Sequence, residues 1–106
     1  MLIKIRRFEI DGNEQAIIIE DEKNDYDGFM AWNELKSIVN VVAKPKATSA
    51  FLPYAEFSEV YEFENSKLVL DFCSDTGDIN IHGDDNKMME KFLKILFDSG
   101  KFELAI

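Results

Sequence analysis

A stretch that begins at Lys23 has the spacing of a calcium-binding loop. Counted from Lys23, a glycine falls at the sixth place, and carboxylates fall at the third, fifth and twelfth places, Asp25, Asp27 and Glu34. An EF-hand loop takes oxygen ligands at those places and needs glycine for its sharp turn. Its first place requires a carboxylate, whereas Lys23 would set an ammonium group against the cation. We therefore predict no calcium site here and expect Asp27 to cap a helix.

Residues that could carry out catalysis are few. The chain has one histidine, His82, and one cysteine, Cys73, which could meet on adjacent strands and form a nucleophile. Cys73, however, follows an apolar strand, where a buried and inert thiol is more common. One Cys and one His cannot form a zinc site without carboxylates, and isolated glycines form no phosphate-binding loop. The sequence thus predicts no catalytic residue, no metal and no cofactor.

Negative charge is concentrated in one third of the chain. The net charge is −9. Residues 56–85 contain nine acidic residues and one base, Lys67, and so carry −8. The acids are Glu56, Glu59, Glu62, Glu64, Asp71, Asp75, Asp78, Asp84 and Asp85. Such a charge repels nucleic acid and anionic membranes and attracts basic proteins. The alternative is that this stretch is only a solvated face that keeps the chain soluble.

Aromatic residues are interleaved with these acids between Phe51 and Glu64. If this segment is extended, one face is mostly aromatic and the other is mostly acidic. Most such rings belong to a core, but a tyrosine in an acidic rim suits a cationic partner. We therefore predict a surface for a basic protein partner. Its residues are Glu59, Tyr61, Glu62, Glu64, Asp71, Asp75 and Asp78.

Hydrophobic periodicity predicts the elements of the first half. Residues 2–10 alternate as a strand, with a bulge near Arg6 and Arg7 where the phase slips. Residues 11–13 predict a hairpin turn, and residues 15–20 predict its partner strand. Apolar residues at three- and four-residue spacing predict a helix over 29–43 that ends before Pro45.

The second half continues with a predicted loop over residues 44–54. Residues 55–64 fit either a strand or a short helix, and we favour a strand from about Val60 that turns into a strand over 67–72. Residues 79–82 predict a further strand. Asp84 or Asp85 caps a helix that extends to 99, Gly100 ends it, and the last residues add a strand.

These elements predict an α+β fold in the approximate order ββαβββαβ. Successive hairpins favour a mainly antiparallel sheet with two helices on one of its faces. The 106 residues suit a single domain over 1–106. The expected core residues are Trp32, Leu35, Leu70, Phe92 and Leu96. A single cysteine and the lack of a secretory signal or a long apolar run favour the cytoplasm.

Taken together, a short chain with an acidic stretch from Glu56 to Asp85 and without a catalytic set resembles a class of bacterial proteins. These are the small acidic immunity proteins that neutralise partner toxins, including those of contact-dependent inhibition systems. The resemblance implies a non-enzymatic inhibitor whose acids cover the cationic cleft of a basic nuclease. The alternatives are a phage- or plasmid-type mimic of nucleic acid, and a structural or oligomer-forming domain.

Overall fold

A computed structural model describes residues 2–19, 27–47, 57–73 and 75–105. The elements are β1 (Ile3–Ile10), β2 (Asn13–Ile18), α1 (Gly28–Val42), β3 (Lys44–Ala47), β4 (Phe57–Phe63), β5 (Ser66–Phe72), β6 (Ile79–Gly83), α2 (Asn86–Asp98) and β7 (Phe102–Leu104). The predicted α+β fold is confirmed, with one strand more than predicted.

The strands form one seven-stranded sheet in the order β3-β4-β5-β6-β2-β1-β7. β1 and β7 are parallel, and the other neighbouring strands are antiparallel. The predicted bulge in β1 is wrong, because the pairing with β2 runs in continuous register from Arg6↔Ile17 to Ile10↔Asn13. The apparent phase slip has another cause: Ile10 and Phe8 lie on the opposite face of the sheet from Ile3 and Ile5.

The additional strand, β3, lies within the segment predicted to be a loop. Lys44 pairs with Glu62, and Ala47 pairs with Val60, with a register shift between Pro45 and Ala47. Proline cannot donate to a strand ladder, so the sequence favoured a loop, but an edge strand tolerates proline. Proline and lysines at this edge also discourage the addition of a further strand. The ambiguous segment is a strand, as favoured, and begins at Phe57.

Both helices begin and end where the sequence predicts. Asp27 caps α1, because its carboxylate accepts a hydrogen bond from the Met30 amide at 2.7 Å. Asp85 caps α2 in the same way, with the Lys87 amide at 2.9 Å. Gly100 follows α2 with a φ of 80°, a left-handed conformation that glycine adopts without steric cost.

The core lies between the two helices and one face of the sheet, which we call the inner face. The Trp32 ring of α1 stacks on Phe72, with centroids 5.5 Å apart. The Phe92 ring of α2 packs edge-on against Phe63 at 5.7 Å. The strand register places Phe72 and Phe63 on the same face, so both helices cover the inner face. The expected core residues are all buried, which confirms that prediction: Trp32, Leu35, Leu70, Phe92 and Leu96.

Candidate functional site

The other face of the sheet, which we call the outer face, has a polar depression near its centre. The depression has a volume of about 280 Å³ and is lined by Gln15, Asp71, Asn80 and His82. Strand pairing gathers these side chains, because Asp71 on β5 is paired directly with Asn80 on β6. Ser58 on β4 is paired with Asp71 from the other side. These five residues form what we call the outer-face site.

Asp71 lies at the centre of this site and is only 5% exposed. One carboxylate oxygen accepts a hydrogen bond from the Ser58 hydroxyl at 2.7 Å. The other oxygen is 2.8 Å from Nε2 of His82. Burial by itself would raise the pKa of Asp71, but the hydrogen bonds from His82 and Ser58, together with the charge of His82, outweigh burial and lower it. The site therefore holds an ionised carboxylate at neutral pH.

The order of these contacts does not suit nucleophilic catalysis. In a serine hydrolase the histidine accepts the proton of the serine. Here Ser58 donates to Asp71, the carboxylate stands between Ser58 and His82, and Ser58 is buried. The arrangement fixes the orientation of His82 and leaves no activated hydroxyl.

Cys73 and His82 do not meet in this structure. His82 is paired across the sheet with Val69. Cys73 follows Val69 by four residues along an extended chain, so the backbone positions of Val69 and Cys73 are roughly 13 Å apart. Hydrogen bonds with Thr76 lower the pKa of the Cys73 thiol, so the thiol belongs to the turn after β5. A Cys–His nucleophile is thus not assembled by the strand register.

Three of the seven predicted partner-binding residues lie at or beside the outer-face site. Asp71 is part of it. Asp78 precedes Asn80 by two residues and so shares its face of the sheet. Asp75 is exposed in the turn that connects β5 to β6. The structure therefore places Asp71 in the site, and the other two carboxylates toward the end of the sheet at the β5–β6 turn.

Two other predicted residues lie on the inner face. Tyr61 is only 3% exposed, so its ring is already buried in the core rather than presented as an anchor. Its hydroxyl donates to Glu59 at 2.5 Å, and Lys36 of α1 forms an ion pair with the same carboxylate. The ammonium group of Lys36 also lies 5.5 Å from the Trp32 ring centroid. Glu59 and Tyr61 thus attach α1 to β4.

The last two predicted residues lie toward the opposite end of the sheet. Glu62 is on the outer face, where it is paired with Lys44 and Lys67 across the register. Glu64 lies in the turn between β4 and β5, with its carboxylate 3.5 Å from Lys91. Since β5 spans seven residues, or roughly 20 Å, the predicted set does not form one surface.

The stretch that resembles a calcium loop is described only in part. Residues 23–26 lie outside the described residues, as do Phe51, Tyr54 and Glu56 of the aromatic and acidic segment. Asp27 is used as a helix cap, and Glu34 pairs with Lys101 at 2.5 Å. Within the four described ranges, no group of three His, Cys, Asp or Glu side chains could hold a metal ion. In the same ranges, no helix has the length and apolar character needed to cross a membrane.

Sequence reasoning missed the neutral members of the outer-face site. Gln15 and Ser58 were not singled out, and His82 was considered only as a partner for Cys73. The available signal was the placement of polar residues at alternate positions, as in Asn80 and His82 of β6. The order of the strands in the sheet decides which of these polar residues lie side by side. Hydrophobic periodicity does not reveal that order.

The chain matches no protein-family model, no curated protein and no solved structure. Its function therefore has to be inferred from its own residues and their arrangement.

Proposed function

We propose that the chain is a non-enzymatic binding protein of the immunity or antitoxin type, which docks a basic protein such as a nuclease toxin. The observation that supports this most is the outer face of the sheet. It has an open polar depression around an ionised carboxylate, and the Ser58 hydroxyl donates to that carboxylate rather than to a histidine base. Polar groups that converge without an activated group suit recognition rather than chemistry.

Electrostatics favour a basic partner. The chain carries a net charge of −9, and two of its carboxylates lie close to the site along the chain: Asp78 precedes Asn80 by two residues, and Asp75 is exposed in the turn between β5 and β6. Charges at the rim of an interface mainly raise the association rate and orient the partner. Their effect is screened by salt over a Debye length of about 8 Å at physiological ionic strength. The complex should therefore form more slowly as salt is added.

Apolar side chains on the same face can contribute affinity. Ile10 is 48% exposed, and Phe8 and Ile17 are half-buried on the outer face. Burial of such side chains at an interface provides the hydrophobic part of binding, at roughly 25 cal/mol per Å² of apolar area before the costs of association. The outer face thus combines an apolar region with a charged rim, as stable interfaces do.

The test begins with any basic protein encoded by a gene next to that of this chain, mixed with the purified chain at several salt concentrations. We expect a one-to-one complex whose association rate falls steeply with salt. The double variant Asp75→Lys/Asp78→Lys should slow association about tenfold or more, because it reverses the steering charge. Glu62 is left unchanged in this variant. Its neighbours across the register are Lys44 and Lys67, and removing its negative charge would leave these two lysines without a carboxylate between them.

The matched control is Glu9→Lys/Glu90→Lys, at two exposed carboxylates off the outer face, which changes the net charge by the same amount. It should slow association much less. Equal effects of the two variants would mean that net charge alone, and not the outer face, governs binding. If the chain instead bound many unrelated basic proteins with similar affinity, a mimic of nucleic acid would replace this proposal. If no basic protein bound, the acidity would serve only solubility.

A further inference from the structure

The outer-face site offers hydrogen-bond acceptors together with one negative charge. Gln15 and Asn80 present side-chain amides, whose carbonyl oxygens accept hydrogen bonds. Asp71 accepts from Ser58 and His82, one bond to each oxygen. An ionised carboxylate has about four lone-pair positions, so Asp71 can still accept from a bound group.

His82 adds a further acceptor only when its imidazole ring is neutral, because both ring nitrogens donate when the ring is protonated. An ionised carboxylate has no proton to donate, so Nε2 of His82 must carry the proton in its 2.8 Å contact with Asp71. When the ring is neutral, its other nitrogen, Nδ1, is then an acceptor. The imidazole side chain is 34% exposed and can reach a ligand from one wall of the depression.

These groups discriminate among ligands. An anion would meet the charge of Asp71, and among the described residues that line the depression only His82 could balance that charge, since there is no lysine or arginine. An apolar ligand would leave the amides of Gln15 and Asn80 unpaired, which is costly once water is excluded. An ammonium group has three donors on one centre, whereas a planar guanidinium has five donors directed outward. A guanidinium group therefore matches this site better than an ammonium group, because the acceptors of Gln15 and Asn80 lie around the Asp71 carboxylate.

We infer that the outer-face site binds an arginine guanidinium group presented by the basic partner, an inference that rests on the proposed function. The cation would lie over the Asp71 carboxylate. The amide oxygens of Gln15 and Asn80 would accept from its outer N–H groups. Asp71 would thereby act as the central anchor, and Asp75 and Asp78 as the outer charges that guide the partner.

The inference can be tested on the isolated chain by NMR, with the amide of Nα-acetylarginine as the probe. We expect saturable shifts of the side-chain amide signals of Gln15 and Asn80, at millimolar concentrations typical of such a small ligand. The amide of Nα-acetylcitrulline has nearly the same shape without the charge, and it should bind at least tenfold more weakly. Equal binding of the two probes would overturn the inference.

Two variants connect the binding to the site. Asp71→Asn removes the charge, and Asn80→Ala removes one acceptor from a half-buried position; each should weaken binding of the arginine probe at least fivefold. The dispersion of the NMR spectrum shows first whether each variant is folded. If Asp71→Asn does not fold, Asn80→Ala alone tests the inference. The control is Glu64→Gln, which removes a carboxylate at the far turn and should leave probe binding unchanged. Undiminished binding by folded Asn80→Ala would also overturn the inference.

The two proposals fail in different ways. If the arginine probe binds as expected but no basic protein does, the site recognises a guanidinium group but the proposed function is wrong. If a basic protein binds and the arginine probe produces no saturable shift, the proposed function is upheld and the pocket inference is wrong.

Discussion

Replacing Phe72 with alanine should lower the free energy of unfolding by about 3–5 kcal/mol. Phe72 is completely buried. Its ring stacks on Trp32 at 5.5 Å and meets Phe29 edge-on at 5.0 Å, so it connects β5 to α1. Truncation removes the buried ring and leaves a cavity that a rigid sheet fills only in part. Urea unfolding followed by Trp32 fluorescence measures the loss.

The control for this experiment is Val41→Ala on α1. Val41 is 83% exposed, and exposed substitutions usually change stability by less than about 0.5 kcal/mol. A loss below about 1 kcal/mol for Phe72→Ala, similar to that of the control, would mean that the inner face is not the core.

Asp71→Asn should destabilise the chain at neutral pH by about 1.5–3 kcal/mol, the usual contribution of hydrogen bonds to a charged group. Asparagine keeps the shape of the side chain but removes the negative charge to which His82 and Ser58 donate hydrogen bonds. The pKa of Asp71 is lowered in the folded state, so its stabilisation is complete above the unfolded value of about 3.9. It is lost as the pH falls through the folded value.

The difference in stability between the two proteins should therefore shrink as the pH falls below about 4. Denaturant unfolding at a series of pH values measures that difference, in which contributions from the other carboxylates cancel. Asp75→Asn, in the exposed turn, is the matched control and should change stability by less than about 0.5 kcal/mol. A difference for Asp71→Asn that stays the same from pH 5 to pH 3 would contradict the assigned charge of Asp71.

Much of the fold could be predicted because its signals are local. The cap residues Asp27 and Asp85 and the terminator Gly100 act within one helical turn, so sequence is sufficient to locate both helices. The hairpin strands show alternating apolar residues, which depend only on neighbours in the chain. β3 was missed because its local signal, Pro45, argues against a strand, while its pairing with β4 is a tertiary contact.

The candidate site was harder to predict because it depends on sheet order and on which face a residue occupies. Sequence reasoning grouped Glu59 and Tyr61 with Asp71 because all belong to one acidic stretch. In the sheet, the alternation of faces places Glu59 and Tyr61 on the inner face and Asp71 on the outer face. Gln15 lies far from Asp71 in sequence and reaches it only because β2 is adjacent to β6.

That adjacency of β2 and β6 also determines how the chain folds. The register joins Ile18 to Ile79 and Ala16 to Ile81, which closes a loop of roughly sixty residues. Short turns connect β4 to β5 and β5 to β6, so we expect this meander to form before the long loop closes. Gln15 lies on one side of this seam, and Asn80 and His82 lie on the other. The outer-face site is therefore completed only when the seam closes, and a partner that requires the site can recognise only a chain in which β2 and β6 have paired.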